Sequence, residues 1–159
     1  MNNALKDWTI AYVKHKDSAF RKLVKTEEKK DRIEFHFRDK INTHFIIDTL
    51  TDALFSLIKD CEHKTIVCPN IQENLHFLLK EWKRINAIKN LLFIFVNLKN
   101  NDKWVINPHV HAMIADPASL EIGLQTMFDT ANGKIAEIKV PKRKPQLFDE
   151  DVAASEEEE

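Results

Sequence analysis

Residues 91–128 read LLFIFVNLKNNDKWVINPHVHAMIADPASLEIGLQTMF, and this stretch sets the fold of the whole chain. Leu91 to Val96 is an apolar run without a charge. It is too short to cross a bilayer and suits a strand covered on both faces. Leu98 to Asp102 is a polar connection of hairpin length, so Lys103 to Ile106 is read as a shorter returning strand. Asn107-Pro108 and Asp116-Pro117 follow, each a capping residue before a proline. Proline lacks the amide that a first helical turn leaves unpaired anyway, so each pair predicts a helix start. The second helix is expected to run to about Ala131, with Leu120, Leu124, Met127, Phe128 and Ala131 inward and Gly133 just beyond its end.

Working back toward the amino terminus, Asn70 and Glu73 have capping-box spacing and predict a helix with Ile71, Leu75, Leu78, Trp82 and Ile85 on its buried face. Asn90 is placed to take the left-handed cap at its end. Thr65 to Cys68, stopped by Pro69, reads as a short buried strand. A helix from about Thr51 carries Leu54, Leu57, Ile58 and Cys61 on one face. Ile33, Phe35 and Phe37 alternate with Glu34, His36 and Arg38, so Arg32–Phe37 and Thr43–Asp48 predict a hairpin. His36 and His44 are candidates to approach each other across it. Residues 3–25 read as helix from Leu5, Trp8, Tyr12, His15, Ala19 and Leu23 at three- and four-residue steps, broken near Lys16-Asp17-Ser18 with Asp17 capping the second part, and Thr26 to Asp31 as a charged turn.

The predicted order is αββαβαββα, with a further edge strand over Lys134 to Val140 in brackets. Strand–helix–strand–helix–strand through 43–97 implies crossovers and parallel pairing. The fold class is therefore α/β, a mixed, partly parallel sheet of about five or six strands with flanking helices. One globular domain is expected over 1–140, and a disordered basic-then-acidic tail over 141–159.

Composition excludes several chemistries. The chain has two glycines, Gly123 and Gly133, so neither a Walker A loop nor a GxGxxG fingerprint can be drawn, and no nucleotide cofactor is expected. GxSxG is absent as well. Cys61 and Cys68 lack CxxC spacing and read as reduced thiols of a cytoplasmic protein. No apolar run is long enough for a membrane span. Net charge is −1, but seven acids fall in the last eleven residues. Setting them aside leaves 24 basic and 18 acidic residues before Asp149, an excess of six. That is a mildly basic body with an acidic tail, which attracts or moderates polyanions.

Ligands of open α/β sheets bind beyond the carboxyl ends of parallel strands. Asp48, Asn70, Asn97 and Asn107 are the polar residues assigned to that edge. His109, His111 and Asp116 suggest metal ligands, but a helical start at Pro108 splays the two imidazoles roughly 200° apart, so no metal is assigned. Asp31, Glu34 and Asp48 offer carboxylates for a nuclease of the PD-(D/E)xK type, without its (D/E)-x-K triplet on a buried strand. Lys80, Lys83, Arg84, Lys142, Arg143 and Lys144 are the candidate nucleic-acid contacts. The favoured expectation is a non-catalytic binding or adaptor module for a protein or small ligand. A nucleic-acid-associated protein is the alternative, and a metal-dependent hydrolase or nuclease the third.

Overall fold

The computed structural model describes residues 2–133. The expected strand at 134–140 and the tail that follows lie outside the described residues. A single mixed sheet has six strands in sequential order: β1 (Leu23–Glu28), β2 (Arg32–Phe37), β3 (Ile41–Ile46), β4 (His63–Pro69), β5 (Leu91–Asn97) and β6 (Asp102–Ile106). β3, β4 and β5 are mutually parallel, while β1–β2, β2–β3 and β5–β6 pair antiparallel. Helix α1 (Asn3–Asp17) precedes the sheet. α2 (Ala53–Leu57) joins β3 to β4; α3 (Gln72–Lys80) and α4 (Trp82–Asn86) join β4 to β5. α5 (Pro108–Ile114), a 3-10 turn (Pro117–Ser119) and α6 (Leu120–Ala131) follow β6. No helix among the described residues is long and apolar enough to cross a membrane.

Side-chain alternation assigns the two faces. Phe45, Ile66, Cys68, Phe93, Phe95, Trp104 and Ile106 point to one side, where Leu54, Leu75, Leu78, Ile85, Leu124 and Phe128 of the later helices close the larger core. Phe95 is fully buried and stacks on Trp104 with ring centroids 4.4 Å apart. Truncating Phe95 to Ala would cost roughly 3–5 kcal/mol. Ile33, Phe35, Ile46, Val67, Ile94 and Val96 point the other way, and among the described residues only α1 covers them, through Leu5 and Val13.

That second layer is thin. A helix of 15 residues is about 22 Å long and about 10 Å wide. Six strands at about 4.8 Å spacing make a sheet about 24 Å across, so one helix covers less than half of the face. The buried stripe of α1 is Leu5, Thr9 and Val13 at four-residue steps, with Thr9 Oγ1 donating to the Leu5 carbonyl at 2.8 Å. Trp8 and Tyr12, stacked at 4.9 Å, lie half-buried on its flank, and His15 is exposed rather than on the stripe.

Three further local expectations are corrected. The first helix ends at Asp17, and Leu23–Glu28 is strand. Arg21 turns the chain with φ of 53°, and Asp17 caps no second helix. Its carboxylate instead accepts from the Lys22 and Leu23 amides at 2.8 and 3.0 Å. The helical spacing of Leu23 was coincidental: the hydrogen-bonding edge of β2 takes the segment as a strand. Asn70 does not cap α3; the cap position is Ile71, with no side-chain bond, and Ile71 itself is partly exposed. Met127 is also 44% exposed rather than inward. Asn107 accepts from Val110 N at 3.2 Å and Asp116 from Ala118 N at 3.1 Å, and Gly133 (φ 80°) is left-handed just past α6, as read; Asn90 (φ 60°) is left-handed in the turn before β5, but the cap of α4 is Ala87.

Candidate functional site

The parallel strands have two ends, and polar residues gather at both. At the carboxyl end, Asn70 follows β4 and Asn97 closes β5. The last turn of α6 descends onto them with the carbonyls of Phe128, which also accepts from Asn132 N at 3.2 Å, and Ala131. Asn70 Nδ2 donates to Phe128 O and to Asn132 Oδ1, both at 3.0 Å, and its Oδ1 accepts from Trp104 Nε1 at 2.8 Å. Asn97 Nδ2 donates to Ala131 O and Asn132 Oδ1, both at 3.1 Å, and Asn100 Nδ2 also reaches Ala131 O. An amide nitrogen has two protons, so Asn70 and Asn97 have spent both internally. Beside them the fully buried Asn74 donates to Asp48 O and Pro69 O at 3.1 and 3.0 Å and accepts from Leu50 N at 2.8 Å. These asparagines form a clasp that fastens α6 and the β3–α2 loop to the sheet.

Of the residues assigned to a ligand-binding edge, Asp48, Asn70 and Asn97 share this end. The Asp48 side chain is exposed and borders a wide, shallow depression with Lys30, Asp31 and Leu57. Asn107 lies at the other end, because β6 runs antiparallel and sets Ile106 beside Phe93. His109 and His111 diverge on α5: His109 Nδ1 lies 2.9 Å from Asn86 O, and the His111 ring meets Trp82 edge-on at 5.8 Å. Asp116 is occupied by its own cap.

Among the basic candidates, Lys80 and Lys83 are exposed. Arg84 lies flat over Phe55 at 3.8 Å and near Asp52 and Glu81. Lys142, Arg143 and Lys144 lie outside the described residues.

Among the described residues one trio of potential metal ligands converges, Glu27, Glu34 and His36, on the open surface of β1 and β2. Glu27 and Glu34 stand directly opposite each other across the two strands. Their charges are already met by lysines, Glu27 by Lys25 at 2.7 Å and Glu34 by Lys29 at 3.1 Å. The Lys25 ammonium, hydrogen-bonded to Glu27, holds that carboxyl below its usual range. Arg32 does the same to Asp31, at 2.9 Å. Burial pushes the Cys68 thiol well above its ordinary value, which leaves it a core side chain and no nucleophile.

The amino end of the parallel strands differs in kind. Between the last half of α1 and the sheet lies a groove of about 380 Å³. Its floor is Phe37, Asn42, His44 and Thr65, continued by Leu92, Ile94 and Val105. Its roof is Tyr12, Val13, Lys16 and the exposed Phe20 of the turn after α1, and Lys22 and Lys40 stand at the mouth. His44 is the unusual member. It is buried, its ring meets Phe35 edge-on at 4.8 Å, and Nδ1 is sealed from water without a hydrogen-bond partner. Burial first, and then the nearby Lys16 ammonium, depress its pKa to about 3, so the imidazole is neutral at physiological pH.

His44 was expected to approach His36. It does not, because Ile33 faces His44 while Ile41 faces His36, and residues 33 and 36 point to opposite sides of β2. The groove itself was missed. The sequence signal was a histidine in Ile41–Ile46, a strand that has to be covered on both faces. No family model matches the chain, and no curated protein or solved structure is significantly similar to it.

Proposed function

We propose that the protein is a non-catalytic binding module and that its site is the groove beneath α1, at the amino end of the parallel strands. The supporting observation is the groove itself: a cavity of about 380 Å³ with an apolar interior and the buried His44 in its wall. An apolar cavity of this size, with a few polar groups in its floor and charged side chains at its mouth, is what a small ligand fills. At the carboxyl end the asparagine amide protons are already used, and the depression beside Asp48 is wide and shallow where the groove under α1 is roofed.

The test is a map of where small molecules go. Amide chemical shifts of the full-length protein are followed against a cocktail of neutral, cationic and anionic fragments. Shifts are expected at Tyr12, Phe37, Asn42, His44 and Leu92. A map centred on Asp48 and Asn97, or none above the protein's surface average, would overturn the assignment.

A further inference from the structure

We infer that the groove takes an amphipathic organic acid, a carboxylate carried on an apolar body of medium-chain or aryl size; this rests on the groove being the binding site. Three observations define that ligand. The interior is largely apolar, with Val13, Phe37, Leu92, Ile94 and Val105 around the cavity, and such a lining selects a hydrocarbon body. Lys16, Lys22 and Lys40 edge it, and none of them forms an ion pair with a described residue. Of the two carboxylates at the same rim, Asp17 has both oxygens turned to the backbone amides of Lys22 and Leu23, which leaves Asp39 as the remaining acid. Among the described residues the rim therefore holds three ammonium groups, Lys16 resting over the Tyr12 ring, against two carboxylates.

The third observation is the inner polar group. A buried cation at His44 beside the exposed Lys16 ammonium would be costly, so the imidazole stays neutral and, with Nδ1 closed to solvent, adds no charge to the floor. Thr65 and Asn42, bonded to each other at 3.3 Å, lie on the same floor. A carboxylate here would replace water around the lysines with charge-assisted hydrogen bonds while its tail covers the apolar wall. A cationic amphiphile would bring its charge to the lysines and be repelled.

Octanoate, 1-octanol and octylamine share a chain length and differ in head group. Each is titrated into the full-length protein, with groove amide shifts as the readout. Octanoate is expected to bind at least about tenfold more tightly than either of the others, a difference near 1.4 kcal/mol. The double variant Lys16→Gln/Lys40→Gln, whose side chains leave the core untouched, should erase most of that preference and leave octanol unchanged. Octanol or octylamine binding as well as octanoate would overturn the acid class and leave the groove standing as the site. No groove shifts with any of the three would overturn the acid class too, and an empty fragment map beside it would remove the groove.

Discussion

The carboxyl and amino ends of β3, β4 and β5 are both lined with polar side chains, yet they are in opposite states of completion. At the carboxyl end, Asn70, Asn74 and Asn97 convert the loose carbonyls of α6 and the β3–α2 loop into a closed hydrogen-bond set. At the amino end, His44 has been buried without a partner beneath a helix too small to cover the sheet. Polar residues at a sheet edge therefore say little by themselves. What marks a site is capacity left over after the fold has taken its share.

The sharpest way to break this contrast is Asn70→Ala. It strands Trp104 Nε1 in the interior, while the Phe128 carbonyl keeps its Asn132 amide, and the variant should lose roughly 1–3 kcal/mol in urea denaturation. A loss below about 1 kcal/mol would mean the clasp is ornamental and its amides are open to a ligand.

Acid stability probes the opposite end. The folded His44 pKa of about 3 lies below the ordinary value of 6.5, so the unfolded chain binds a proton that the folded chain refuses. The neutral form's stability is intact above about pH 6.5 and falls as pH drops toward 3, by up to about 1.4 kcal/mol per unit. Between pH 7.5 and 4 wild type should lose stability along this slope while His44→Leu lacks it, as read from denaturation midpoints; parallel pH profiles would show that His44 is hydrated. Asn97→Ala is a milder probe of the clasp, expected to cost about 1 kcal/mol because Asn100 still serves the Ala131 carbonyl. Phe20→Ser should change stability by less than about 0.5 kcal/mol, since the ring is 71% exposed. It should nonetheless weaken octanoate binding, and unchanged binding would exclude Phe20 from the ligand's path.

Much of the architecture could be read from local pattern. The unbroken apolar run at 91–96, the alternation at 33–37 and the Asn-Pro and Asp-Pro pairs each encode a strand or a helix start in a few neighbouring residues. Those elements, and the parallel pairing their order implied, stand in the structure. Leu23–Glu28 did not declare itself, because an edge strand of Lys, Thr and Glu has no apolar period and takes its conformation from the partner it pairs with. The capping box at Asn70 shows the same limit from the other side. Its spacing was locally sound, but the side chain found acceptors 58 and 62 residues away that a local motif cannot foresee.

What this amino-acid order determined alone was which segments would be strands or helices and which chemistries were out of reach, since glycine count, apolar period and capping pairs act over a few residues. Which polar groups would be consumed and which left wanting was settled only when α6 closed one end of the sheet and α1 fell short of the other. Hydrogen-bond saturation belongs to pairs of atoms brought together from distant parts of the chain, and no single segment carries it.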